Sequence, residues 1–335
     1  MSQPDEFVKV FQVPPAMVPY VHLVATRQEM ELVVALAGQA LTLEEVAETL
    51  RISREEAAAL LRGAFHRDLV NRDTRAGMTT YSPGKFYTTL DYFSSVETST
   101  WKRLPLAARQ AVGEWQVQAF IELWKPAIDR VVANPDAWLP IKNRDVLLLD
   151  ETLALVEATE DICLLPCSCR TTLVGEGPLV EGSMRVGERA RQTLERGQGR
   201  RLTVPEARAH LVALDRMGLV HTGPRAWHRH DPGQEWISHG NCGPSYSYIF
   251  IAGVRLGLEK VYPRAHHVAE VDWSRCTHCA VCTGRCPFGA LYQDGSFVPI
   301  HGQAVRQVQY DSRACWGCGL CATTCPEAAI SMRPL

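Results

Sequence analysis

The residues in this chain best equipped for chemistry are cysteines, and their spacing decides which chemistry. There are 12 in 335 residues, and eight of them fall in the last sixty. They form two runs, Cys276-Thr-His-Cys279-Ala-Val-Cys282-Thr-Gly-Arg-Cys286-Pro287 and Cys315-Trp-Gly-Cys318-Gly-Leu-Cys321-Ala-Thr-Thr-Cys325-Pro326, both of the form C-x2-C-x2-C-x3-C-P. Three thiolates so spaced wrap one face of a [4Fe-4S] cubane, and the proline turns the chain away after the fourth. Zinc also accepts four thiolates, but two consecutive copies of this run with both prolines do not have zinc-ribbon spacing. The runs sit inside a longer repeat. Setting Cys276 on Cys315 also aligns Asp272 with Asp311, and each copy closes on a short apolar stretch, Ala290-Leu291 and Ala329-Ile330. Trp316, Phe288, Ala290 and Ile330 are expected to form an apolar shell that keeps water off the cubanes, and His278 to tune a potential without ligating.

Four cysteines remain, the number a third cubane needs. Three stand in Cys163-Leu-Leu-Pro-Cys167-Ser-Cys169-Arg170, and Cys242 stands far off in Gly240-Asn-Cys-Gly-Pro. A third [4Fe-4S] cluster, a zinc or other metal site, and buried free thiols all fit these residues. Cys163 also suits a core position on a strand ending at Pro166, in which case Asn241 or His239 would replace it as a ligand. His228 and His230, beside Arg229, and the His266-His267 pair read as surface or capped residues. No P-loop, H-E-x-x-H or helix-opening G-x-G-x-x-G is present, and Gly175-Glu-Gly177-Pro is too short to hold a phosphate. The chain therefore reads as wiring rather than as a catalyst.

The elements that must carry these residues are also legible. Between Glu29 and Tyr92, three helices and a polar hairpin suggest a winged helix. Thr42 with Glu45 and Ser53 with Glu56 have the spacing of capping boxes. Leu69-Val70 and Thr79 to Tyr81 would be wing strands joined through Arg75-Ala-Gly-Met. An amphipathic stretch from Leu104 to Val132 is expected to be interrupted by Pro126, and a shorter helix runs from Asp150 to Ala158. A helix from Thr203 to Met217 opens on a capping box at Thr203 and Glu206 and stops at Gly218. The arginine-rich run from Arg185 to Arg201 reads as a solvated helix face, with docking to an acidic redox partner as the other meaning. The fold class expected is α+β in four segments. These are an N-terminal arm with a winged-helix-like domain (1–92), a helical connector (93–160), a cysteine-bearing middle domain (161–262) and a 2[4Fe-4S] ferredoxin-like domain (263–335).

These features resemble multidomain 4Fe-4S binding proteins of anaerobic bacteria and archaea, with a winged-helix-like N-terminus, a C-x-C-R motif and a two-cluster bacterial-type ferredoxin C-terminus. The likeness rests on Cys167-Ser-Cys169-Arg170, the Leu202-Thr-Val-Pro-Glu-Ala to Gly218-Leu-Val-His221 segment, Asn241-Cys242 and the two ferredoxin runs. It implies a cross-over in ligation. Cys276, Cys279, Cys282 and Cys325 would hold one cluster, and Cys315, Cys318, Cys321 and Cys286 the other. Cys163, Cys167, Cys169 and Cys242 would hold a third. The chain departs from the pattern in lacking further cysteines after C-x-C-R and around Cys242.

The function so implied is iron-sulfur electron transfer, as a cytoplasmic subunit of a larger oxidoreductase whose other subunits or redox proteins are the partners. Two alternatives are a cluster-based redox-sensing winged-helix regulator and a reductase acting on a small substrate at a middle-domain cluster. Net charge is −2, which calls for no polyanionic partner, and Glu55 and Glu56 would meet the phosphates where a recognition helix enters DNA. The winged region therefore reads as a docking or homodimerisation module. No stretch approaches the ~20 apolar residues of a membrane span.

Overall fold

The computed structural model of the protein describes residues 3–134, 145–174, 181–223 and 238–335. The chain begins with α1 (Gln3–Val10), a 3-10 turn (Pro15–Tyr20), α2 (Val21–Val24), α3 (Arg27–Ala35), α4 (Leu43–Leu50) and α5 (Arg54–His66). Thr26, Thr42 and Ser53 open α3, α4 and α5. Each hydroxyl accepts the N–H of a glutamate three residues on, whose carboxylate accepts the cap residue's own N–H. Two otherwise orphaned donors are satisfied at each start.

The hairpin β1 (Val70–Arg75) and β2 (Met78–Pro83) follows, and it turns on Ala76 (φ 50) and Gly77 (φ 80). Two consecutive left-handed residues match the strands' own twist. Next come α6 (Phe86–Ser95), α7 (Thr98–Trp101) and α8 (Leu106–Ala133). Contrary to expectation, α8 is not interrupted at Pro126 but runs through it. An interior proline costs about 3 kcal/mol. Burial of Ile121 before it and Ile128 after it, at about 2 kcal/mol each, offsets that loss.

Beyond it lie β3 (Asp145–Leu147), α9 (Leu149–Glu157), β4 (Ile162–Leu165), α10 (Ser168–Leu173), β5 (Ser183–Val186), α11 (Glu188–Glu195) and β6 (Arg200–Arg201). The next elements are α12 (Val204–Arg216), β7 (Val220–Gly223), β8 (Ser238–Cys242) and α13 (Tyr248–Arg255). The C-terminal part holds β9 (His267–Val271), α14 (Val281–Arg285), β10 (Leu291–Tyr292), β11 (Phe297–Ile300), β12 (Gln303–Arg306), β13 (Gln309–Tyr310), α15 (Leu320–Thr324) and β14 (Ile330–Pro334).

Two compact units result. One comprises residues 1–119, 166–180 and 194–198, the other 120–165, 181–193 and 199–335. Phe7, Met17, Leu32, Leu61, Leu90 and Trp101 belong to a single core in the first unit, so the N-terminal arm is part of that core. Arg196, of the same unit, donates to the carbonyls of Phe65 (2.6 Å) and Val70 (3.1 Å) with its guanidinium over the Phe65 ring.

The second unit is organised by a six-stranded antiparallel sheet of order β3-β7-β8-β5-β4-β6. Ile162, Leu164, Met184 and Val186 from its strands share a core with Val156 and Leu211 from α9 and α12. The sheet starts at Asp145, ahead of the segment boundary expected at 161, because β3 pairs with the distant β7, a non-local pairing that leaves no local sequence pattern. The C-terminal repeat belongs to this same unit. Its duplication is visible in the strand pairing, since Val271 pairs with Ile330 as Tyr310 pairs with Leu291. Those two pairs are displaced by the same spacing that sets Cys276 on Cys315.

Candidate metal centre

Each cysteine run is a loop of left-handed turns leading into one short helix. His278 (φ 52) and Ala280 (φ 62) in the first run match Gly317 (φ 67) and Gly319 (φ 78) in the second, and Gly289 (φ 67) matches Ala328 (φ 46). Asp272 and Asp311 start the two loops alike, their carboxylates accepting the N–H of Ser274 (3.0 Å) and Arg313 (2.9 Å). These turns aim backbone N–H groups at sulfur. The N–H of His278 points at Cys276 Sγ and that of Gly317 at Cys315 Sγ, both at 3.4 Å. Ala269 N–H adds a second donor to Cys315 (3.5 Å) and Ala329 N–H one to Cys325 (3.3 Å). Such donors offset negative charge on a thiolate and tune a bound cluster.

Two cavities lie in this segment. One is lined by Cys276, Cys279, Cys282 and Cys325 together with apolar Val271 and Ile330. The other is lined by Cys286, Cys315, Cys318 and Cys321 with Phe288 and Trp316. The fourth cysteine of each run thus faces the cavity of the other run. Four cysteine sulfurs lining each void suit a polynuclear cluster.

The apolar shell is built from both parts of the unit. Phe288 and Trp316 stack with centroids 5.1 Å apart, and Phe250 of α13 packs against both, at 5.5 and 5.2 Å. His278 lines the first cavity, is 6% exposed, and is held by the protein. Its Nδ1 accepts the Val308 N–H at 3.1 Å and its ring stacks on Trp273.

Burial pushes the thiol of Cys282 up to about 11 and that of Cys321 to about 12, and raises Cys276 and Cys318 as well. These thiols hold their protons at neutral pH, whereas a metal binds the thiolate. Iron and sulfide uptake by the metal-free protein should therefore accelerate as pH rises from 7 to 9, with proton release. A rate that is flat or falls over that range would contradict the assignment.

Of the four remaining cysteines, Cys163, Cys167 and Cys169 have described side chains. Cys167 caps α10 and Cys169 lies in its first turn, both partly exposed, in the first unit. Cys163 is on β4 in the second unit and is 0% exposed, and burial raises its thiol. It pairs in register with Arg185, which pairs with Ser238. Cys242 is four residues further along β8, opposite Val220. Cys163 is therefore a core residue of the sheet, as the strand reading expected. The side chains of Cys242, His239 and Asn241 lie outside the described residues, as do His228 to His230 and Gly175 to Gly177.

Other expectations change on folding. The arginine run is largely neutralised internally. Arg191 and Arg201 share Asp161 (2.8 and 2.6 Å), Arg200 meets Glu181 (3.4 Å) and Arg185 donates to Thr193 (2.7 Å). His266 and His267 are not surface residues. His266 Nε2 lies 2.7 Å from Asp145 Oδ1, and His267, 7% exposed, is 3.9 Å from Glu151 Oε1. No sequence signal singled out those carboxylates.

Residues 275–329 match the 4Fe-4S dicluster domain family. Over 60 residues, 18% of its length, the chain is 40% identical to a pyruvate synthase subunit, PorD, of Thermotoga maritima, spanning about half (52%) of that relative. Over 70 residues, 21% of its length, it is 33% identical to a ketoisovalerate oxidoreductase subunit, VorC, of Methanothermobacter marburgensis, spanning 77% of it. No solved structure matches the chain. With cysteines lining two apolar voids, the match means that the protein carries two [4Fe-4S] clusters and transfers electrons through them.

Proposed function

Since the chain belongs, through residues 275–329, to the 4Fe-4S dicluster family, we propose that it is the electron-relay subunit of a larger oxidoreductase. In this reading Cys276, Cys279, Cys282 and Cys325 hold one cluster, and Cys315, Cys318, Cys321 and Cys286 the other. The observation that supports it is that the fourth cysteine of each run lines the cavity of the other run. Each bound cluster supplies one-electron chemistry. The chain's own residues hold it by thiolate, aim N–H groups at sulfur, and exclude water with Phe250, Phe288 and Trp316. Both relatives are named as oxidoreductase subunits, which supports other subunits as partners. Among the described residues no helix is long and apolar enough to cross a membrane.

The three helices α3 to α5 and the β1–β2 hairpin are a winged-helix-like module serving for docking or homodimerisation. Three basic groups of this module are paired, Arg54 with Glu44 (3.0 Å), Arg75 with Asp73 (2.8 Å) and Arg72 with Glu195 (2.8 Å). A DNA site would need them free for phosphates.

The test is anaerobic purification of the full chain. About eight irons and eight sulfides per chain are expected, with paramagnetic signals after dithionite that vanish on adding a one-electron oxidant. A colourless protein, or one whose clusters cannot be reduced and reoxidised, would end this reading. About twelve irons would add a third cluster, and Cys163→Ala should leave the iron count unchanged.

A further inference from the structure

Asp215, in the last turn of α12, is contacted from both cluster-bearing helices. Thr323 of α15 donates its hydroxyl to Asp215 Oδ2 at 3.1 Å, and Arg285 Nη2 of α14 lies 3.8 Å from the same oxygen. The carboxylate is 6% exposed and the guanidinium 15%. The third group facing it is His221, whose Nε2 is 3.6 Å from Asp215 Oδ1.

The backbone around Asp215 is arranged to receive Arg285. α12 ends in a Schellman turn, with Leu219 N–H bonded to the Leu214 carbonyl (3.1 Å) and Gly218 N–H to that of Asp215 (2.8 Å). Gly218 is left-handed (φ +88), and a Cβ there would stand 3.3 Å from Arg285 Nη1. The Arg285 guanidinium donates to the Arg216 carbonyl at 2.6 Å and also to that of Asp215. A cation at a helix C-terminus satisfies leftover carbonyls and the dipole together.

Each of the two contacting helices serves both cavities. α14 carries Cys282 of the first and its last residue, Arg285, precedes Cys286 of the second. α15 carries Cys321 of the second, and Thr323 stands two residues before Cys325 of the first. A charge held between them acts on both clusters through poorly hydrated protein.

We propose that Asp215 is a positioning residue for the electron relay. Its carboxylate, paired with Arg285, clamps the two helices that share the clusters and sets both reduction potentials together. The proposal rests on the two-cluster relay reading and deepens it.

The experiment is a redox titration of the anaerobically purified full chain, followed by electron paramagnetic resonance. Asp215→Asn leaves the guanidinium uncompensated, which favours the more negative reduced clusters, so both midpoints should move up. Arg285→Gln leaves the carboxylate uncompensated and should move both down. The double variant should return both toward wild type, and Thr323→Val, which removes a bond but no charge, should leave them near it. Merely structural damage would not reverse sign with the charge removed. If Asp215→Asn does not load iron, Arg285→Gln and the double variant still decide the matter. Midpoints that stay put, move in one cluster only, or shift alike in both single variants overturn the proposal. A wild-type chain without reducible clusters would instead defeat the relay reading, before any variant is compared.

Discussion

Cys325→Ala is expected to abolish the cluster served by the first cysteine run and to leave the second run's cluster in place. The physical basis is the position of Cys325, which lines the cavity of Cys276, Cys279 and Cys282 although it follows Cys321 by four residues. Loss of one of four thiolates opens the cubane to water and oxidant, so iron should fall from about eight to about four per chain. Which cluster survives is the decisive readout. The reduced spectrum of Cys325→Ala should match that of Cys279→Ala, and Cys286→Ala should match Cys318→Ala. If Cys325→Ala matched Cys318→Ala instead, each run would hold its own cluster and the assignment would be wrong.

The second large effect is expected at Gly317, between Cys315 and Cys318. The equivalent residue of the first run is His278, equally left-handed (φ 52 against 67), so backbone conformation alone does not demand glycine here. What differs is the neighbour. A Cβ on Gly317 would collide with the carbonyl group of His267, a backbone atom of β9 that cannot swing aside. Gly317→Ala must therefore push the loop off β9, carrying with it the N–H that Gly317 aims at Cys315. The second cavity should fail to load, with about four irons left per chain. His278→Ala, where a side chain is already accommodated, should keep both clusters. Full iron content and an unaltered spectrum in Gly317→Ala would show that the loop has slack that its contacts with β9 do not suggest.

Capping boxes at Thr42, Ser53 and Thr203 and the stop at Gly218 were legible because they depend on residues within one turn of each other. The same holds for the cysteine runs. Thiolates two residues apart must wrap something, and the repeat of the run states how many times. Even the matching left-handed positions follow from the duplicated loops.

Pro126 was misleading because a local rule about proline says nothing of the burial available to Ile121 and Ile128. The arginine run was ambiguous for a similar reason, since Asp161 and Glu181, which neutralise it, meet it only once the sheet forms.

The order of residues alone thus determined the metal chemistry, the number of cubanes in the tail and the capped starts of α4, α5 and α12 in front of it. Only the folded molecule decided that Cys163 is sealed in a sheet, two strands away from Cys242. The seating of Asp215 between α14 and α15 was likewise settled by the fold alone. The reason is one of range. Ligand spacing and caps are properties of neighbours along the chain, whereas strand register and a buried ion pair are set by groups that are remote until the backbone brings them together.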